Sequence, residues 1–79
     1  MAVQVIATAV LQKYFQAYDP ASGARVEVAP GTTVRELVES LGIPDSEVKL
    51  VMVDGVSAGW DRRLAGSERV ALFPPVGGG

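Results

Sequence analysis

Thr33-Val34-Arg35-Glu36-Leu37-Val38-Glu39-Ser40-Leu41-Gly42-Ile43-Pro44 is the stretch whose reading decides the fold. Thr33 followed three residues later by Glu36 matches the capping box, in which the threonine oxygen accepts from a first-turn amide and the glutamate reaches back. Val34, Leu37, Val38 and Leu41 fall on one helical face. Gly42 stands where a left-handed C-terminal cap is wanted, and Pro44 bars continuation. The spacing therefore predicts one helix beginning at Thr33 or Val34. Arg35, Glu36, Glu39 and Ser40 lie on its other face and read as solvated rather than catalytic.

Upstream, Ala29-Pro30-Gly31 ends a run in which Arg25, Val26, Glu27 and Val28 alternate polar and apolar, as a strand exposed on one side does. Asp19-Pro20-Ala21-Ser22-Gly23 is dense in turn formers and should reverse the chain. Before it, Val3, Val5 and Ala7 alternate with Gln4, Ile6 and Thr8, which reads as a strand with one apolar and one mixed face. Leu11, Tyr14, Phe15 and Tyr18 follow at helical spacing and predict a short helical turn; core packing is favoured over a ligand pocket for this aromatic set.

Downstream, Val48 to Val53 is almost continuously apolar and too short for a core helix, so it reads as a largely buried strand. Asp54-Gly55 is a preferred centre for a tight hairpin, and Val56 to Trp60 begins a short return segment, an edge strand. Asp61 to Gly66 is a turn-rich connection with Leu64 as its buried anchor, and Glu68 to Phe73 forms the last strand. Strand, strand, helix, strand, short strand, strand is an α+β order. Its compact solution is a β-grasp: a mixed sheet of four to five strands, the first and last parallel at the centre, with one main helix across one face. Apolar residues left on the other face would mark a partner surface.

Composition narrows the function. A chain of 79 residues has room for one small domain and one modest core. With 48% hydrophobic and 20% charged residues, it should fold without staples. It contains neither cysteine nor histidine, so it lacks thiolate chemistry, the commonest zinc ligand and the commonest neutral-pH base. Unaided catalysis is not expected, nor is a metal site. Asp54 and Asp61 lie in turns that explain them. The formal charge of -2 argues against nucleic-acid binding, and Arg62-Arg63 is an adjacent basic pair explained by a solvated turn. Met1 to Val10 has no basic region ahead of its apolar residues, and no run approaches a membrane span. The expectation is a soluble, cytoplasmic protein.

The sequence closes with Phe73-Pro74-Pro75-Val76-Gly77-Gly78-Gly79. Two prolines remove backbone donors and end the strand at Phe73. Three glycines are costly to order and useless for packing, but they make a thin arm whose backbone can enter a narrow channel. This divides the chain into a domain at 1–73 and a flexible arm at 74–79 that would deliver its terminal carboxylate into another protein's active site. A frayed terminus or an engineered linker would also carry glycines. The direct junction of the prolines with an apolar strand favours the arm, since linkers usually begin in polar residues.

Val70-Ala71-Leu72-Phe73-Pro74-Pro75-Val76-Gly77-Gly78-Gly79 resembles the ending of the MoaD family, the small sulfur-carrier subunit of molybdopterin synthase. Leu11-Gln12-Lys13-Tyr14-Phe15, Pro30-Gly31-Thr32-Thr33-Val34 and Val53-Asp54-Gly55 resemble that family at corresponding positions, so the resemblance covers the whole chain. A final Gly-Gly is shared by ubiquitin, ThiS and other β-grasp carriers, whereas Phe-Pro-Pro-Val before it is far more specific. Gly77 stands where alanine or serine is more usual in MoaD, and the triple glycine resembles ThiS endings.

The resemblance implies a ubiquitin-like carrier, not an enzyme by itself. Its Gly79 carboxylate would be adenylated by a ubiquitin-activating-type adenylyltransferase that uses ATP, then converted to a thiocarboxylate. It would bind no cofactor of its own. The sulfur would go to the dithiolene of molybdopterin, for a molybdenum or tungsten cofactor, within the molybdopterin synthase large subunit. Gly77 and Gly78 would give the slender approach. Phe73, Pro74, Pro75 and Val76 would meet the partner's groove, with Phe73 as anchor or, equally, as ordinary sheet packing. Six residues from Pro74 onward would reach on the order of 20 Å. Carriers for thiamin, tRNA thiolation or cysteine synthesis, and a ubiquitin-like protein modifier, are the alternatives.

Overall fold

The computed structural model describes residues 2–15, 18–19 and 21–75. Thr33 and Glu36 satisfy each other's amides: the Glu36 N–H donates to Thr33 Oγ1 at 3.1 Å and the Thr33 N–H to Glu36 Oε1 at 2.9 Å. Helix α1 runs from Val34 to Ser40 behind this capping box. It stops at Gly42, whose φ of +76° is the left-handed conformation glycine adopts without steric cost. The Gly42 N–H then reaches the Glu39 carbonyl, and the Ile43 N–H joins that of Leu41 on the Val38 carbonyl, which satisfies acceptors of the last turn.

Strands β1 (Ala2–Ala7), β2 (Ala24–Glu27), β3 (Leu50–Val53), β4 (Val56–Ala58) and β5 (Arg69–Phe73) form a single sheet in the order β2-β1-β5-β3-β4. β1 and β5 pair in parallel at its centre, and every other pairing is antiparallel. This is the ubiquitin-like β-grasp that the element order predicts. The β3–β4 hairpin turns on Asp54 and Gly55, with φ of 51° and 83°, the left-handed pair that matches the twist of the flanking strands.

Strand alternation sends Val3, Val5, Ala7, Val51, Val53, Val70 and Leu72 to one face. There they meet Val34, Leu37 and Val38 of α1, together with Leu11, Ile43, Val48 and Leu64, in one buried cluster. Each fully buried side chain of this kind contributes roughly 1.5–3 kcal/mol relative to exposure.

The loop before β5 closes on Glu68, which is only 9% exposed. Its carboxylate accepts from the N–H groups of Ala65 at 2.7 Å, Gly66 at 2.9 Å and Ser67 at 3.1 Å. The Ala65 and Gly66 amides stabilise the charged form most, and the carboxyl is held down to about 2.

Two segments depart from the sequence reading. The helical turn after β1 is a 3-10 helix at Ala9–Tyr14, and Phe15 is already extended. Phe15 and Tyr18 thus lie beyond the helix, although both, with Tyr14, pack against the core. The Tyr18 hydroxyl accepts from the Ala7 N–H at 2.8 Å, so it ties this segment to the end of β1 instead of extending a helical stripe. Ahead of β3, a further 3-10 turn at Asp45–Glu47 precedes Val48, and the strand begins at Leu50.

Candidate functional site

The sheet face turned away from α1 is built by the other half of the alternation. Across the strands, Ile6 pairs with Ala71, Ala71 with Met52, and Met52 with Ser57. One row further toward the end of β5, Phe73 pairs with Leu50. In the opposite direction, Arg25 pairs with Gln4, and Gln4 with Arg69. The open face is therefore apolar at the end where β5 finishes and polar at the end where it starts. Leu50 is 40% exposed, and Ile6, Met52, Ala71 and Phe73 are half-buried.

At the polar end, Gln4, Ser22, Gly23, Arg25 and Ser67 line a shallow cavity of about 320 Å³. The Gln4 side-chain amide donates to the Ser22 carbonyl. Gly23 has φ of +80°, and a Cβ there would meet the Val5 carbonyl oxygen at 2.4 Å, so the turn requires glycine to lie this close to β1.

At the apolar end the chain leaves the sheet. The Lys49 N–H donates to the Phe73 carbonyl at 2.8 Å, holding the last residue of β5 from the β3 side. Pro74 follows half-buried and Pro75 exposed. On the β1 side, the Thr8 carbonyl accepts from the Leu11 N–H at 2.8 Å as the 3-10 helix opens. Gln12 anchors that helix to the Ala7 carbonyl at 3.1 Å. The Tyr14 hydroxyl donates to Glu47 at 2.7 Å, which raises the phenol pKa. Lys13 adds an ion pair to the same carboxylate at 3.8 Å.

Of the residues that the sequence singles out, Phe73, Pro74 and Pro75 sit together at the end of β5. Phe73 shares the open face with Leu50 and is not among the core residues or those packed on them. Val76, Gly77, Gly78 and Gly79 lie outside the described residues. Asp54 belongs to its turn, where its Oδ1 accepts from the Arg69 N–H at 2.9 Å. Among the described residues no three acidic side chains gather as a metal site would require. Sequence reasoning did not name Ile6, Leu50, Met52 or Ala71 as a surface, although strand parity with Phe73 gives them directly.

No curated protein sequence matches the chain. Among solved structures, small archaeal modifier protein 1 from Haloferax volcanii is similar with a TM-score of 0.69 at 23% identity, covering 100% of both chains. A second structure of that modifier gives 0.71 at 21% identity over 95% of this chain and 98% of the other. A Pyrococcus furiosus protein assigned as molybdopterin converting factor, subunit 1, gives 0.71 at 21% identity over 96% of this chain and 99% of the other. At these identities the likeness shows the shared fold. The model of the Mut7-C ubiquitin family matches residues 1–77, nearly the whole sequence, and so the chain belongs to the Mut7-C ubiquitin family, with the ubiquitin-like β-grasp fold that the solved structures share.

Proposed function

We propose that this chain is a sulfur carrier that is activated at the carboxylate of Gly79. The observation that supports this reading best is the junction of the apolar half of the open face with Phe73-Pro74-Pro75, because a partner that covers Ile6, Met52, Leu50 and Phe73 is placed where the arm begins. In the first step a Gly79 carboxylate oxygen attacks the α-phosphorus of ATP and pyrophosphate leaves. In the second, sulfide attacks the acyl carbon and displaces AMP, giving a thiocarboxylate whose sulfur passes to an acceptor while water restores the Gly79 carboxylate. The dithiolene of molybdopterin is the acceptor we propose, with an adenylyltransferase of the ubiquitin-activating type and a molybdopterin synthase large subunit as partners. These partners bring ATP and the acid and base groups; the carrier binds no cofactor, and its contribution is positioning. Phe73 serves as the anchor, Pro74, Pro75 and Val76 meet the partner's groove beside it, and Gly77 and Gly78 give the thin approach. The proposed setting is the cytoplasm. Among the described residues no helix is long and apolar enough to cross a membrane.

Intact-mass measurement after incubation with ATP, a cognate adenylyltransferase and a sulfur donor tests the reading. The expected result is a gain that matches one oxygen replaced by sulfur, located on Gly79 and lost when Gly78 and Gly79 are deleted. An unchanged mass in the presence of an active partner overturns it. The full-length likeness to an archaeal modifier favours a second reading, conjugation of Gly79 to lysines of other proteins. That reading predicts high-mass conjugates in cells that disappear with the same deletion.

A further inference from the structure

Thr8 continues β1 in extended conformation, with φ -88° and ψ 151°, so strand alternation carries its side chain to the face of Gln4 and Ile6. One step beyond the Ala7 and Leu72 pair, the β1–β5 register sets it beside Phe73. It also occupies the N-cap position of the 3-10 helix, where a threonine hydroxyl ordinarily accepts from a first-turn amide, yet this one makes no cap. Its Oγ1 is buried, and among the described residues it is the one buried side-chain nitrogen or oxygen without a hydrogen-bond partner. An unpaired buried hydroxyl costs stability that a valine methyl in the same space would not.

The start of the arm offers what this hydroxyl lacks. The parallel ladder opens with the Gln4 N–H donating to the Glu68 carbonyl, and its register advances two residues at a time along both strands. At the level of Thr8 the next donor from β5 would be residue 74. Proline has no N–H, so the backbone bond that would tie the arm to β1 is missing there. Pro74 presents a carbonyl instead, an acceptor, and the Thr8 hydroxyl is a donor at the same level. The other side of the strand end is already fixed by the Lys49 bond to the Phe73 carbonyl.

The geometry points to Thr8 as a positioning residue, whose hydroxyl donates to the Pro74 carbonyl when a partner holds the arm and so fixes the direction in which the arm leaves the sheet. This inference rests on the carrier reading above. Docking by the open face and aiming of the arm then become separable, the first through Ile6, Leu50, Met52 and Phe73, the second through Thr8.

The test compares wild type, Thr8→Val and Thr8→Ser in carrier-dependent ATP–pyrophosphate exchange with the cognate adenylyltransferase, alongside thermal unfolding of the free chains. Thr8→Val should unfold at the same or a higher temperature, keep the carrier's KM, and lose kcat about tenfold, the size expected for one hydrogen bond. Thr8→Ser, which keeps the donor, should retain kcat. Full kcat in Thr8→Val overturns the inference and leaves the carrier reading intact. Equal loss in both variants also overturns it, since shape and not the hydroxyl would then be responsible. Should Thr8→Val fail to fold, loss of kcat in a folded Thr8→Ser decides against the hydroxyl. Wild type that supports no exchange with an active enzyme overturns the carrier reading and this inference together.

Discussion

Two threonines open helical segments in this chain, and they are treated in opposite ways. Thr33 gives its oxygen to the Glu36 amide, receives the Glu36 carboxylate on its own N–H, and launches a helix whose apolar side lies in the core. Thr8 opens a 3-10 helix with its hydroxyl buried, uncapping and unpartnered. The first corner seats α1 on the core; the second stands beside the end of β5, where Pro74 follows. Among the described residues, Thr8 Oγ1 is the one buried side-chain nitrogen or oxygen without a hydrogen-bond partner, and it lies beside the end of β5.

The largest effect belongs to the packing behind Thr33. Leu37→Ala removes a fully buried side chain from between α1 and the sheet and should cost roughly 2–5 kcal/mol in denaturant unfolding. A loss below that range would mean that the core under the well-capped corner is looser than its burial implies.

Glu68 sharpens the contrast, because it lies at the opposite end of β5 from the unsatisfied hydroxyl and is itself fully engaged. Glu68→Gln should cost about 1–3 kcal/mol, since three amides lose their anion. The pH dependence follows from the sign of the shift. The backbone amides hold the folded carboxyl down to about 2, below the ordinary glutamate value. Its stabilisation is thus complete above the unfolded pKa and disappears as pH falls through that range toward the folded one. Thermal unfolding of wild type should drop over that acid interval, and the Glu68→Gln curve should be flatter.

Smallest is the cap itself. Thr33→Ala should cost about 1 kcal/mol, a cap's usual worth. Thr8→Ala, by contrast, should lose no capping energy. Similar costs at the two positions, after allowing for the methyl removed from each, would erase the distinction between them.

The Thr33 corner was legible in the sequence because every part of it is local: cap, stripe, terminal glycine and stop lie within twelve residues. The hairpin at Asp54-Gly55 and the alternation of β1 were legible for the same reason. The Thr8 corner was not. Its Leu11, Tyr14, Phe15, Tyr18 spacing imitates an α-helical face, but Tyr18 is drawn back to the Ala7 N–H and the helix closes early as a 3-10 segment. An orphaned hydroxyl depends on what packs over it, which no local pattern records. The open face is an intermediate case: parity predicts which residues share it, whereas its division into an apolar and a polar half emerges only once β1, β5 and β3 are placed side by side.

The central position of β5 also has a mechanical consequence. A pull on Pro74 is transmitted along the axis of the middle strand, bonded to β1 on one flank and to β3 on the other. Such a load shears both ladders at once instead of unzipping one bond at a time. Whatever follows Phe73 is therefore fastened to the strand that is hardest to extract.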